Sequence, residues 1–250
     1  MEAGTGDDEL TVTVLGCDGT YAGPGGACSG YLLRAGTTAV AVDLGPGTFA
    51  NLQRHLDPAD LDAVVLTHEH PDHWLDLPIV RNAFRHVLDV RNVPVHGTAG
   101  TERRARSVAG ELAPDLEWRT LDAAAVVEIG GLTLRFGPTD HSVETLAVRA
   151  EAGGRTLLYS ADTGSAWQPG DLGDGVDLLL CEATFAPEHE DRSQHLTARQ
   201  AGAYATALGV GRLVVTHVPP VVDPDDQRRL AAAAFDGRTE VATTGMTLIV

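Results

Sequence analysis

The chain has 250 residues, 43% hydrophobic and 21% charged, a globular balance in which a well-covered core is easy to build. Its formal net charge is −17 and all 18 of its basic residues are arginine, so its surface weakly repels polyanions and argues against a nucleic-acid partner. No apolar run reaches the roughly 20 residues that cross a bilayer, no membrane partner is expected, and residues 1–8, polar and acidic, read as a short frayed tail rather than a signal peptide.

Residues 10–15 alternate as a strand, and the glycine-rich stretch from Gly16 to Gly26 follows. Residues 31–34 and 39–43 read as strands joined by a turn at Gly36, 49–56 as a helix, 57–60 as a turn and 62–66 as an apolar strand. Residues 74–87 have helical spacing despite Pro78. A short strand at 93–96 precedes a helix at 98–109. Hairpins are expected at 126–136 around Gly130-Gly131 and at 145–160 around Gly153-Gly154. Residues 176–181 read as a buried strand, 197–208 as a helix opened near Thr197 and closed at Gly209, 213–215 as a strand, 225–234 as a helix and 246–250 as the last strand.

Strands and helices in this order, with hairpins among crossovers, predict two mixed β-sheets packed together with helices outside. No low-complexity linker divides the chain, so residues 9–250 are expected to form a single domain. The apolar strand that ends in Thr67-His68 resembles the one that ends in Thr216-His217, a hint of internal duplication. The three cysteines, Cys17, Cys28 and Cys181, lack the spacing of a disulfide framework or a structural zinc site. Cys181 lies in an apolar run and is expected to be buried, and a cytoplasmic location fits this cysteine usage.

The strand at 62–66 runs into Thr67-His68-Glu69-His70-Pro71-Asp72-His73. Four candidate ligands, His68, His70, Asp72 and His73, stand within six positions, and imidazole and carboxylate are what zinc and other divalent first-row metals take. In an extended turn alternate side chains share a side. His68 and His70 can therefore approach one metal together, while Asp72 and His73 serve a second. Pro71 disfavours a helix through this loop. Two metals need more ligands than one loop supplies, and further candidates follow strand ends: His141 in Thr139-Asp140-His141-Ser142, Asp162 in Tyr159-Ser160-Ala161-Asp162-Thr163, and His217. His195 sits just before the helix that starts near Thr197.

The loop is similar to the HxHxDH signature of metallo-β-lactamase-fold hydrolases. Asp140-His141-Ser142, Tyr159-Ser160-Ala161-Asp162-Thr163, Glu182-Ala183-Thr184-Phe185, His195-Leu196-Thr197 and Val215-Thr216-His217 resemble the phosphodiesterase branch, which includes ribonuclease Z and small cyclic-nucleotide phosphodiesterases. The motifs follow the family's order over roughly residues 10–220. The resemblance implies an α+β, four-layer αβ/βα sandwich and two divalent metal ions: zinc first, with manganese or iron as alternatives. It implies His68, His70 and His141 on metal one, Asp72, His73 and His217 on metal two, and Asp162 bridging both. For His195 it implies contact with the scissile phosphate or protonation of the leaving group. It also allows a homodimer.

The chemistry agrees with those roles. Two metals clamp a phosphodiester and sharpen a bridging water into hydroxide, which attacks phosphorus in line. Asp72 can also orient that water, and a histidine titrating near neutral pH suits the departing oxygen. Other residues carry less. Asp43 is either a hydrogen-bond partner of a ligand histidine or a turn cap, and the stretch from Gly16 to Gly26 either brings backbone N–H groups to a phosphate or is a plain turn. Glu69 is expected to face solvent, Trp74 to enter the core or line the pocket, and His55, His86, His96 and His189 to pack or face water.

The reading favours a dimetal hydrolase that cleaves a small phosphodiester such as a cyclic nucleotide. The alternative is a tRNA 3′-end-processing endonuclease. Ribonuclease Z of the usual bacterial type carries a long arm between the third-motif histidine and the bridging aspartate, whereas His141 and Asp162 are 21 positions apart, room for one hairpin. A charge of −17 is also poorly suited to steering tRNA. A carbonyl-centre hydrolase of a lactone, β-lactam or thioester is the other alternative, since the same centre can attack a carbonyl.

Overall fold

Leu32 and Leu33 are neighbours and both are buried, yet they belong to different cores. So do Val64 and Val65, and Leu179 and Leu180. One residue of each pair faces a core between two sheets, and the other faces a layer of helices. Strands covered on both faces need continuous apolar runs rather than alternation, which is what residues 63–66 and 178–181 supply.

The computed structural model describes residues 9–190 and 194–250; the expected tail at 1–8 lies outside them. The first sheet runs edge to edge as β14 (Thr247–Ile249), β1 (Thr11–Gly16), β2 (Gly30–Ala35), β3 (Thr38–Val42), β4 (Ala63–Leu66), β5 (Val93–Gly97) and β6 (Leu116–Thr120). The second runs as β13 (Arg238–Val241), β12 (Arg212–Thr216), β11 (Leu178–Glu182), β10 (Arg155–Tyr159), β9 (Leu146–Ala152), β8 (Leu132–Pro138) and β7 (Val126–Ile129). Helices α1 (Thr48–Leu52), α2 (Leu77–Ala83) and α3 (Ala99–Ala109) bury residues against the first sheet, and α4 (Ala198–Leu208) and α5 (Pro224–Ala232) against the second. The result is the expected αβ/βα sandwich of two mixed sheets.

In each sheet antiparallel pairing gives way to parallel pairing, at β3 in the first and at β10 in the second. The shared plan does not equate the two Thr-His strands, however. β4 lies one strand beyond the junction at β3, whereas β12 lies two strands beyond β10. The likeness between residues 62–68 and 211–217 is therefore a likeness of strand-end chemistry, not of position.

Several boundaries differ from expectation for physical reasons. The helix expected from 74 begins at Leu77, which puts Pro78 in the first turn, where a missing N–H costs nothing. It continues as a π-helical turn, Phe84–Leu88, that ends at Asp89 with φ 50°. The helix expected at 49–56 stops at Leu52, because the Arg54 and His55 N–H groups bond three residues back and tighten the chain into turns. Strands β6 and β13 escape a hydrophobic reading altogether. Both are edge strands that carry charge, Glu117 and Arg119 in one and Arg238 and Glu240 in the other, as exposed edges commonly do.

Among the described residues no helix is long and apolar enough to cross a membrane. The cysteines are unpaired, and Cys181 is buried on β11. β8 and β10 both run antiparallel to β9, so they share a direction, and β11 and β12 follow it. The chain segments leaving β8, β10, β11 and β12 therefore emerge at one edge of the second sheet, and the segment leaving β4 meets them there, with Leu146 N–H donating to the Thr67 carbonyl.

Candidate metal centre

Thr67 and His68 leave β4 fully buried. His70 stays extended, and Pro71–His73 form a single 3-10 turn that Pro71 starts. The loop is clamped from behind: Leu44 N–H donates to the His73 carbonyl, and Asp76 N–H donates to the Leu44 carbonyl. Gly45 makes room for it, since a Cβ there would stand 2.0 Å from the Asp72 carbonyl oxygen.

All seven expected ligand side chains converge. His68, His70, His141 and Asp162 form one set and Asp72, His73 and His217 another, with the ligating atoms of each set within 4.8 Å of one another. Asp162 stands between the sets. Its Oδ2 lies 3.5 Å from His68 Nε2 and 3.9 Å from His141 Nε2, and its Oδ1 lies 3.3 Å from His73 Nε2 and 3.5 Å from His217 Nε2. Asp72 Oδ2 is 3.2 Å from His217 Nε2. Ala161 and His217 take left-handed φ values of 51° and 55° to make these approaches, backbone strain of the kind that clusters at functional sites.

The charges favour ligation in the first set, whereas at His73 burial is overridden by Asp162 and Asp43, which lift the imidazole well above its ordinary range, so a metal there would displace a proton. Burial, with the His73 charge adding to it, pushes the His68 imidazole down to about 4. Burial also lowers His70 and His141. These three rings are therefore neutral at ordinary pH, the form that binds a metal. Burial alone would raise Asp162, but His217, His73 and His68 hold its carboxyl well below the usual range.

A divalent cation fits this donor set. His68 Nε2 and Asp162 Oδ1 are buried and have no hydrogen-bond partner, a cost of about 1–3 kcal/mol for each group if left unmet. Imidazole nitrogens face each other at 3.0 Å between His141 and His70 and at 3.3 Å between His73 and His217. Donors around a tetrahedral zinc at 2.0–2.2 Å stand roughly 3.4 Å apart, close to these spacings.

His195, expected near the site, is there. It does not cap α4; Thr197 does, in a capping box with Gln200. Instead His195 Nδ1 donates to Glu182 Oε1 at 2.9 Å, and its ring lies parallel to that of His217, centroids 5.6 Å apart. Burial pushes this imidazole down, and the Glu182 carboxylate overrides burial and lifts it to about 9.

Glu182 was not singled out as a site residue by sequence reasoning. It is fully buried at the end of β11 and accepts from Thr163 N–H, Thr184 N–H, the Thr184 hydroxyl, Leu196 N–H and His195. Two signals point to it, the segment Glu182-Ala183-Thr184-Phe185 and a lone carboxylate closing an otherwise apolar strand. Asp43 plays the matching part on the first sheet. It accepts from His73 Nδ1 at 2.8 Å, from Thr67 N–H and hydroxyl, and from Tyr159, so it is the hydrogen-bond partner of a candidate ligand histidine rather than a turn cap.

The glycine-rich stretch reaches the site through Thr20, whose N–H donates to Asp72 Oδ2 at 3.0 Å. Thr20, His70, Pro71, Asp72, Asp162, His195 and His217 line an open cavity of about 270 Å³. Trp74 is buried in the core and donates to the Glu69 carbonyl. Glu69 corrects an expectation. It points away from the histidine cluster but is half-buried, its carboxylate resting against Gly100 in the first turn of α3 and 3.5 Å from Arg104, where the positive end of a helix favours an anion. His96 is buried on β5.

Residues 38–218 match the Beta-lactamase superfamily domain family. The chain belongs to that family, and its histidine and aspartate cluster makes it a metal-dependent hydrolase with a divalent-metal site. It is 35% identical over 244 residues to the uncharacterized protein Rv1339 of Mycobacterium tuberculosis, covering 91% of this chain and 88% of that one. It is 30% identical over 269 residues to a ribonuclease Z of Mycobacterium bovis, covering 93% and 95%. The crystal structure of the metallo-β-lactamase-fold protein YhfI from Bacillus subtilis superposes with a TM-score of 0.88 at 27% identity, covering 96% of this chain and 99% of that one.

Proposed function

We propose that the chain is a dimetal phosphodiesterase acting on a small phosphodiester such as a cyclic nucleotide. The observation that carries this reading is the histidine held by a buried carboxylate, His195 on Glu182, at the wall of the cavity that the ligand side chains enclose. His68, His70, His141 and Asp162 Oδ2 would hold one cation, and Asp72, His73, His217 and Asp162 Oδ1 the other. When bound, the cations, zinc or else manganese or iron, supply charge for the phosphoryl oxygens and lower the pKa of a water. Asp72, on the cavity wall, would be placed to orient a water. Glu182 fixes His195 through Nδ1 and keeps it protonated, so that Nε2 carries the proton the departing oxygen takes.

Two observations support a small substrate. The chain carries a formal net charge of −17, and a long polyanion needs cations along its length. From His141 to Asp162 the chain makes only the β9–β10 hairpin, which leaves no room for a gripping arm. A tRNA 3′-end endonuclease is the second reading, favoured by the identity to ribonuclease Z. The test is a screen of purified, metal-analysed protein against bis-p-nitrophenyl phosphate, cyclic AMP, cyclic GMP, precursor tRNA and a lactone panel. The proposal expects cleavage of the small diesters and little or none of the others. Preferred cleavage of precursor tRNA would establish the second reading, and turnover of lactones alone would replace both with carbonyl chemistry.

A further inference from the structure

Two buried carboxylates serve the site in the same way. Asp43 accepts from His73 directly, and it accepts the Thr67 hydroxyl at 3.0 Å; Thr67 Oγ1 in turn lies 3.0 Å from His68 Nδ1. Glu182 accepts from His195 directly, and it accepts the Thr184 hydroxyl at 2.8 Å; Thr184 Oγ1 lies 2.7 Å from His217 Nδ1. Each carboxylate thus holds one histidine by contact and a second through a threonine. The four residues Asp43, Thr67, Glu182 and Thr184 are all buried.

A hydroxyl has one proton to give. Each carboxylate already gathers N–H donors and is the stronger acceptor, so each threonine gives its proton there and offers only a lone pair to the histidine beside it. That histidine must then carry its own proton on Nδ1, which leaves Nε2 bare. His68 Nε2 is the buried, unpartnered nitrogen of the site, and His217 Nε2 faces Asp72 and Asp162.

We propose that Thr67 and Thr184 are positioning residues that fix the Nδ1–H tautomer of His68 and His217, one in each ligand set. Thr184 does more than Thr67. Through Glu182 it ties the second cation's histidine to His195, so metal loading and the orientation of His195 depend on one carboxylate. The coupling is reciprocal, as binding linkage requires. The inference rests on reading His68 and His217 as ligands.

The test needs no substrate. Zinc affinity is measured by chelator competition for the parent, T184V and T184S, with near-UV circular dichroism as the folding control. T184V keeps the shape and loses the hydroxyl; its weaker-bound zinc is expected to bind about 10–100-fold more loosely, and T184S should restore the parent's affinity. If T184V binds both zinc ions as the parent does, or T184S binds as poorly as T184V, the proposal is overturned. Histidine ¹⁵N spectra of the zinc-loaded parent test it without any substitution. Nδ1–H signals for both His68 and His217 support it, and an Nε2–H signal for either overturns it. A parent that binds no divalent metal would sink the centre itself and this inference with it, whereas metal binding without phosphodiester turnover would sink only the proposed activity.

Discussion

His195 Nδ1 lies 2.9 Å from Glu182 Oε1, a contact between the residue two before the N-cap of α4 and the last residue of β11. The isolated bridge between Phe185 and Thr197 keeps those two segments side by side, and the ring of Phe185 stands edge-on to His195 at 5.2 Å. The histidine is thus fixed by the fold before any substrate arrives.

A fixed proton donor matters only where the leaving group needs a proton. His195→Ala should lower kcat for a cyclic nucleotide, which releases an alkoxide, by roughly 10²–10⁴-fold. It should lower kcat for bis-p-nitrophenyl phosphate far less, because p-nitrophenolate departs unprotonated. Metal content measured with zinc in excess should not change. Equal losses on the two substrates would show that His195 is not the proton donor.

The same contact gives stability a pH dependence. His195 is raised above its ordinary 6.5 to about 9 in the folded chain, so its stabilisation is complete below about pH 6.5 and is lost as the pH climbs through 9. In chelator-treated protein, the difference in Tm between the parent and Glu182→Gln should therefore be largest near pH 6 and shrink toward pH 10. Part of the difference should persist at high pH, since Glu182 accepts from four other donors. A difference that widens with pH would contradict the pairing.

Metal removal should be visible in thermal unfolding. A cation present at 1,000 times its Kd stabilises the folded chain by about 4.1 kcal/mol, and a chain of this size gains about 2–4 °C per kcal/mol. Excess chelator should therefore lower Tm by roughly 8–16 °C, and readdition of zinc should restore it. An unchanged Tm would mean that the cluster binds no metal tightly.

Gly45 should not tolerate alanine. The added methyl would stand 2.0 Å from the Asp72 carbonyl oxygen and 2.8 Å from Cys28 Cβ, and overpacking of this kind costs about 1–3 kcal/mol. Gly45→Ala should lower Tm by roughly 2–12 °C and reduce bound metal, measured by elemental analysis. Full metal content at the parent's Tm would show that the ligand loop can move aside.

Much of the site was legible because ligand chemistry is dense in sequence. His68, His70, Asp72 and His73 fall in one loop, and His141, Asp162 and His217 each follow an apolar strand whose end is visible from composition. The continuous apolar runs of β4 and β11 likewise announced strands covered on both faces. What was hidden depends on tertiary contact. The role of Glu182 exists only because His195 and Thr184 fold onto it; the segment Glu182-Ala183-Thr184-Phe185 and the apolar strand it closes mark the place but not the partner. Asp43 admits two readings in sequence because only the fold brings the end of β3 against the His73 ring. Strands β6 and β13 were missed because an edge strand is defined by its neighbour rather than by its own polar residues.

If the seven side chains form a two-metal phosphodiesterase centre, turnover must follow metal stoichiometry. The most direct measurement is the turnover of bis-p-nitrophenyl phosphate as metal-free protein is titrated with zinc and, separately, with manganese and iron. The account predicts activity that rises to a break at two equivalents of metal per chain with at least one of them. A break at one equivalent, or no turnover with any of the three, would contradict it.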